Sequence, residues 1–394
     1  MKRIAQISLG LLVAAAASAQ VSFTENFDSY IAGDELGTQG GWQSGTFNAQ
    51  VDPISITDLF SVSPNNSAYT NLWFRPAATG AFAWQYIGHD PSMTDGSMDF
   101  SYSFMISEDG SRNDTVLANL NLNKVLDGSG WMTLQFQSSG TPGYDDSLWM
   151  IDTVGNFSYV GNTGGNPTNT WHNVRGRYNS TNGNLTLWFN GQMSYRTYFS
   201  DPARVGWMNM MSYAFVPNAL QETAFDDISF NSKPTTTVAG TVQFQGMTDT
   251  LYDGYIFWIQ ASFWSGTTKV DEAAGYVDID GNLTMDCSLP DGVYTAYFDG
   301  WYGLRRSATV TVLGGSCSVN LVLPNGDCDS SGIIDIADYT IIASAFDALV
   351  DDGTGNPTPT WNYDADINGD GVIDIADYSL LAGNFDSVDT DYPS

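Results

Sequence analysis

Positive charge is scarce in this chain. Its 394 residues include 13 Lys+Arg against 44 Asp+Glu, a formal net charge of −31. No Lys or Arg follows Arg306. Binding a phosphate backbone takes a basic stripe, so nucleic acid is excluded as a partner. A polybasic contact with anionic lipid is excluded for the same reason. Histidine is limited to His89 and His172, neither in a nucleophile motif, and His172 is expected on the surface of a strand. Glutamate is rare too. Glu25, Glu35, Glu108, Glu222 and Glu272 are all there are, so the acids are mostly aspartates, which favour turns, caps and metal loops over helix interiors. Charged residues make up only 14%, below the usual share of about a quarter. Cysteine is limited to Cys287, Cys317 and Cys328. These have no zinc spacing, an odd one is left over, and Cys287–Cys317 and Cys317–Cys328 are both open as pairings.

What is plentiful is glycine (40), aromatic residues (13%) and apolar residues overall (42%). That mixture rules out a coiled coil, a helical bundle and a disordered acidic tail, and leaves β-rich modules. At roughly 150 residues per domain, two or three are expected.

Lys2 and Arg3 precede an apolar run from Ile7 to Ala17, and Ala17-Ser18-Ala19 fits a small-x-small cleavage pattern. Residues 1–19 are therefore expected to be a signal peptide, too short to cross about 30 Å of hydrocarbon comfortably. No other segment competes as a transmembrane anchor. The chain is expected to be secreted, extracellular or held at the cell surface.

Residues 21–232 read as strand, turn, strand. Met98–Phe104 and Trp131–Phe136 alternate apolar and polar. Trp171–Tyr178, the turn Asn182-Gly183-Asn184, and Leu185–Phe189 form a hairpin. Many short strands without helical periodicity indicate a two-sheet sandwich. Glu25-Asn26-Phe27-Asp28-Ser29-Tyr30, Gly40-Gly41-Trp42, Leu185–Gly191 and Ala224–Phe230 give the segment a pattern that resembles the concanavalin-A-like, laminin-G-like jelly roll. That resemblance implies that the first and last strands pair, and that a glycan is a candidate ligand.

Lys233-Pro234 and three threonines mark a linker. Residues 238–323 form a second β module. Val238–Val242, Asp278–Leu283 and Leu289–Tyr294 are similar to the transthyretin-like, carboxypeptidase-regulatory sandwich, which implies a spacer.

The region 325–388 holds an internal duplication, Ile334–Tyr339 recurring unchanged as Ile373–Tyr378. Each copy follows a loop of oxygen donors. The first has Asp327, Asp329, Ser331, the backbone of Ile333, Asp335 and Asp338; the second has Asp366, Asn368, Asp370, the backbone of Val372, Asp374 and Asp377. Gly332 and Gly371 supply the turns. Calcium takes six to eight hard oxygens at about 2.3–2.6 Å, which this spacing wraps around one ion. Two calcium ions are expected, with Asp335 and Asp374 contributing through water. Ile334 and Ile373 should point inward. Asp338 and Asp377 should close the loops from the first turn of helices whose apolar faces are Tyr339, Ile342 and Phe346, and Tyr378, Leu381 and Phe385.

This duplicated loop–helix resembles the dockerin family, which implies calcium binding and a cohesin-like or other cell-surface protein as partner. The connector 348–363 is longer than the family's usual one. The pairs Ile336-Ala337 and Ile375-Ala376 stand where cellulosomal members commonly carry hydroxyl residues.

No catalytic residue is assigned. Jelly-roll glycosidases of the laminarinase type use a Glu-x-Asp-x-x-Glu strand, and no two of the five glutamates have that spacing; a retaining pair must sit about 5–5.5 Å apart. Trp42 and Trp73, near loops, are candidates for stacking on sugar rings. Arg175 and Arg177 share a strand face and could hold an acidic sugar or bridge to sheet neighbours. The leading expectation is mainly β: an N-terminal jelly roll, a small β-sandwich and a small α-helical calcium-loop module, in a non-catalytic protein accessory to extracellular polysaccharide binding or breakdown. A divergent glycoside hydrolase or polysaccharide lyase, and a structural or adhesion protein of the envelope, stay open beside it.

Overall fold

The computed structural model describes residues 22–393 except 30–41, 48, 52–54, 58–66, 75–82, 92, 94–95, 108–115, 125–129, 139–146, 153, 164–169, 200, 215–219, 248–256, 279, 301–302, 352 and 354–355. The expected signal peptide lies outside the described residues. Three sheets and three apolar cores organise the rest.

The first sheet has nine strands. Its centre runs Gln192–Tyr198, Asn184–Phe189, His172–Asn179, Ser97–Ser107, Leu220–Lys233, Ser67–Phe74, all antiparallel. Ser22–Glu25 pairs with Leu220–Lys233, Phe23 opposite Phe230, so an early strand and a late one close the sheet together. The second sheet has seven strands, in the order Phe157–Asn162, Ser147–Ile151, Gly130–Ser138, Val116–Lys124, Val205–Ala214, Ala83–His89, Gln43–Phe47. Side chains alternate between faces along a strand, and the inward sets of both sheets merge into one core that includes Phe104, Phe136, Phe189 and Met210. Phe104 of the first sheet meets Phe136 of the second at 4.9 Å between ring centroids.

His172 is not a surface residue. It shares the inward phase of Val174, Gly176 and Tyr178, is 5% exposed, and stacks on Phe136 at 16°. Asn190 lies 3.2 Å from its Nδ1, so the ring has a polar neighbour inside the core. Gly176 of the same strand is required by a close approach: a Cβ there would overlap the Phe100 ring.

The third sheet orders its strands Gly303–Val312, Gly292–Gly300, Phe257–Ser265, Thr268–Val277, Asn282–Cys287, Thr236–Phe244, Ser316–Leu323, the last pair being parallel. A tight turn, with Leu313 paired to Ser316, brings the two outer strands together, so the sheet folds over a single core. Cys287 and Cys317 are buried thiols on the two strands that flank Thr236–Phe244. Two strand spacings separate them by about 9.6 Å, beyond the Cα reach of a disulfide at about 4.4–6.8 Å. Cys328 is a third buried thiol.

The chain ends in two short helices, α1 (Ile336–Ser344) and α2 (Ile375–Asn384), over a small core that includes Ile334, Ile342, Ile367, Ile373 and Leu381, joined by Leu304 of the third sheet. The expected apolar faces are only partly inward. Ile342 and Leu381 are buried, but Tyr339, Phe346 and Phe385 are 42–44% exposed, because the helices are too short to cover three turns of large rings. Tyr339 and Phe346 instead gather on Tyr378, at 4.9 and 5.5 Å.

Candidate metal centre and binding face

Aspartate builds both loops locally. Asp327 accepts backbone N–H bonds from Ser331 (2.9 Å) and Gly332 (2.9 Å), folding the chain back over its own carboxylate. Asp329 accepts from Ser331 as well, at 3.0 Å. Gly332, at φ +83°, makes the left-handed turn that a side chain would resist. Ile334, fully buried, then anchors the loop to the core.

Asp335 caps α1, accepting from Ala337 N–H at 2.7 Å, and Asp338 answers by accepting from Asp335 N–H at 2.8 Å. This is a capping box with aspartate in the place of the usual glutamate. The other oxygen of Asp338 accepts from Cys328 N–H at 2.7 Å, so a fully buried carboxylate closes the loop.

The second loop repeats the pattern. Asp366 accepts from Gly369 and Gly371 (both 3.0 Å), Asp370 from Val372 (2.9 Å), and Asp377 from Asn368 (3.2 Å) and Asp374 (2.8 Å). Asp374 caps α2 with backbone angles identical to those of Asp335. Asn368 is an amide where the first loop has Asp329, and Asp370 is an acid where the first has Ser331, so each loop carries four carboxylates.

The donor chemistry fits calcium. One carboxylate oxygen from each of Asp327, Asp329 and Asp338 lies within 4.8 Å of the others. Ligands at about 2.3–2.6 Å from a common centre are at most about 5 Å apart, so these three can share one ion. Among the described residues no Lys or Arg pairs with a loop carboxylate. Burial, reinforced by neighbouring carboxylates and only partly offset by backbone N–H groups, pushes Asp327, Asp366 and Asp377 up to about 6. The Ile333 carbonyl already accepts the Ser331 hydroxyl at 3.1 Å. Asp335 and Asp374 are engaged first as caps.

The two loops are tied crosswise. Ile334 and Asp386–Ser387 exchange backbone bonds, as do Ile373 and Asp347–Ala348, all at 2.9–3.0 Å. Asp347 and Asp386 share the same left-handed backbone, φ +62°. Each loop is therefore held by the tail of the opposite helix.

The other candidates are already occupied. Trp42 is 3% exposed, packed on Phe27, with its indole N–H donating to Glu25. Trp73 lies on a described strand, but its side chain is outside the described residues. Arg177, 5% exposed, donates to Asp99 on the neighbouring strand at 2.7 Å and to Asp271 of the third sheet at 2.9 Å. Arg175 pairs with Glu272 at 2.9 Å and lies over Trp188. Both arginines hold the first sheet to the third.

A different surface emerges from strand register. None of the seven strands of the second sheet contains an aspartate or glutamate. Opposite its core face the sheet presents Asn121, Thr133, Trp149, Tyr159, Trp207 and Asn209, all half-buried or exposed. Thr133 donates to Asn121 at 2.8 Å and the Trp207 indole to Asn209 at 2.7 Å, so this polar layer is ordered. Trp149 and Tyr159 meet edge-on at 5.5 Å. The signal in the sequence was the alternation Asn119-Leu120-Asn121-Leu122-Asn123, amides on one side and leucines on the other.

No family model matches the chain, and no curated protein matches it. Among solved structures, a C-terminal interface mutant of a type II cohesin–X–dockerin complex from Acetivibrio cellulolyticus is similar over 40% of this chain and 99% of its own, at 20% identity and TM-score 0.31. A Bacillus licheniformis beta-glucanase is similar over 54% of this chain and 98% of its own, at 14% identity and TM-score 0.37. The alginate lyase Aly36B is similar over 53% and 96%, at 12% identity and TM-score 0.35. At such levels function is read from the chain's own residues.

Proposed function

We propose that this chain is an exported, non-catalytic polysaccharide-binding protein whose C-terminal region takes two calcium ions and docks or caps the molecule. One observation supports binding over hydrolysis: the outward face of the second sheet offers amides, hydroxyls and aromatic rings, and its strands carry no acid at all. Sugar rings stack on aromatic faces and hydrogen-bond to amides, whereas glycoside cleavage ordinarily needs two carboxylates. A calcium ion, when held in a loop, supplies the positive charge that offsets the repulsion among its aspartates. The docking partner, of the cohesin kind or another surface protein, is expected at the exposed helix positions Ile336, Tyr339 and Ile375 and at Phe385 just beyond α2, which would otherwise leave apolar surface in water.

The test is affinity electrophoresis of the full chain through a panel of polysaccharides, with reducing ends assayed in parallel. Trp149→Ala should weaken retention about tenfold, the effect of losing roughly 1.4 kcal/mol of stacking, with no reducing ends released. Product formation would replace this reading with an enzyme.

Proton linkage gives a second expectation. In the metal-free chain Asp327, Asp366 and Asp377 hold protons more tightly folded than unfolded. Their contribution to stability is therefore full below the ordinary 3.8 and is lost as pH rises through about 6. Calcium uptake near pH 6 should release protons, and affinity should fall on acidification below that point. Calorimetric titration in two buffers of different ionisation enthalpy reads the release directly, and equal heats in both would contradict it.

A further inference from the structure

A groove separate from the amide-and-aromatic face runs along the outer side of the third sheet. Two adjoining cavities, of about 310 and 410 Å³, share Gln260 and Asp299. Their floor is the strand Phe257–Ser265. Ile259, Ala261 and Phe263 turn into the core, so Trp258, Gln260, Ser262 and Trp264 turn outward. Six residues separate the two tryptophans, about 20 Å of strand. Asp299 stands opposite Gln260 on the adjacent strand. The walls come from elsewhere in the chain: Arg196 from the first sheet, Ser330 from the first aspartate loop and Tyr392 from the C-terminal tail. At one end Tyr392 stacks on Trp264 at 5.4 Å and 25°. At the other, the Arg196 guanidinium lies 5.9 Å from the Trp258 ring centre.

Among the described residues Arg196, Arg204 and Arg306 have no carboxylate partner; Arg306 bonds to backbone carbonyls, and Arg196 is set apart from Arg204 by its desolvation. Arg175, Arg177, Lys233, Lys269 and Arg305 each have a carboxylate within 4.0 Å. Arg196, half-buried, makes no hydrogen bond or ion pair with any described residue, although the chain carries 44 acids. Burial lowers its affinity for its proton, a cost that a bound anion would offset. Asp299 does not neutralise it, being directed to Arg305 at 3.9 Å.

We infer that this groove is a second carbohydrate site, selective for an oligosaccharide of uronic acids, with one sugar ring lying on Trp258 and its carboxylate on Arg196. The planar guanidinium fork matches a carboxylate with two parallel hydrogen bonds. Gln260 and Asp299 offer partners for the sugar hydroxyls. The cavity volumes fall in the range of small-ligand sites. The inference rests on the reading of the chain as a polysaccharide binder, but on different residues.

The experiment is calorimetric titration of the full chain with oligogalacturonate and oligomannuronate, each as free acid and as methyl ester. At least one free acid should bind, its ester about tenfold more weakly, the loss of a charge-assisted pair. Arg196→Gln and Trp258→Ala should cause comparable losses at unchanged Tm, and Trp149→Ala should cause none. Equal binding of acid and ester, indifference to Arg196→Gln, or no binding of either acid would overturn the groove assignment. If Trp149→Ala alone abolishes binding, the face of the second sheet stands as the site and the groove falls. If Trp149→Ala leaves every neutral polysaccharide unaffected while the groove variants lose the acids, the reverse holds.

Discussion

Arg177→Ala should destabilise the chain by about 3–5 kcal/mol, the cost of leaving buried charges without their partner. Arg177 reaches Asp99 through Nε and Nη2, and Asp271 through both Nη atoms, at 2.7–3.1 Å, and also donates to the Glu272 carbonyl. Removing it strands two acids where water is nearly excluded. Lys233, 3.1 Å from Asp99, and the Ser288 N–H on Asp271 soften the loss without replacing a five-donor fork. Arg177→Ala combined with Asp99→Asn and Asp271→Asn should recover much of it, and urea melts of the parent, the single variant and the triple variant would measure this. A single variant as stable as the parent would show the cluster to be energetically idle. The pH dependence follows with a definite sign. Burial raises the Asp99 carboxyl, but its bonds and charge contacts with Arg177 and Lys233 outweigh that and hold it below the ordinary 3.8. Its contribution is therefore full at neutral pH and lost as pH falls below 3.8 through the lower folded value.

Withdrawing calcium should have the other large effect. With the ion at a thousand times its dissociation constant, each site adds about 4 kcal/mol to the folded state. Chelation should expose the backbone amides of α1 and α2 to hydrogen exchange while the three sheets keep their protection. Asp377→Ala should do so at saturating calcium for the second loop. Unchanged exchange with and without chelator would remove the metal from the account of this region.

Legibility divided along a physical line. The shape of both aspartate loops could be read because their oxygen donors are close in sequence and the same local turn chemistry builds them. The strand character of Ser97–Ser107 and Gly130–Ser138, and the hairpin at Gly183, followed from alternation and a positive-φ glycine. The polar face was harder. Asn121 and Trp207 lie on directly paired strands more than eighty residues apart in sequence, and no local pattern encodes that pairing. A bridge from Arg177 to a sheet neighbour could be read from the strand, and Asp99 supplies it, but its second partner, Asp271, lies on the third sheet almost a hundred residues on. His172 has the alternation of an inward position, but a titratable ring argued for the outside. Its Asn190 neighbour, across a turn, was invisible from spacing alone.

The last cations in the sequence have a mechanical consequence. Arg305 and Thr390 bond to each other twice, at 3.0 and 2.9 Å; Arg306 holds the Val388 carbonyl at 2.9 Å; and Tyr392 lies under the Arg305 guanidinium at 4.1 Å. Tension applied at the helices would not fall on the peptide link at Pro324–Asn325 alone. It would spread in shear across this clasp into the strand Gly303–Val312, so a tethered molecule can transmit drag through its folded body.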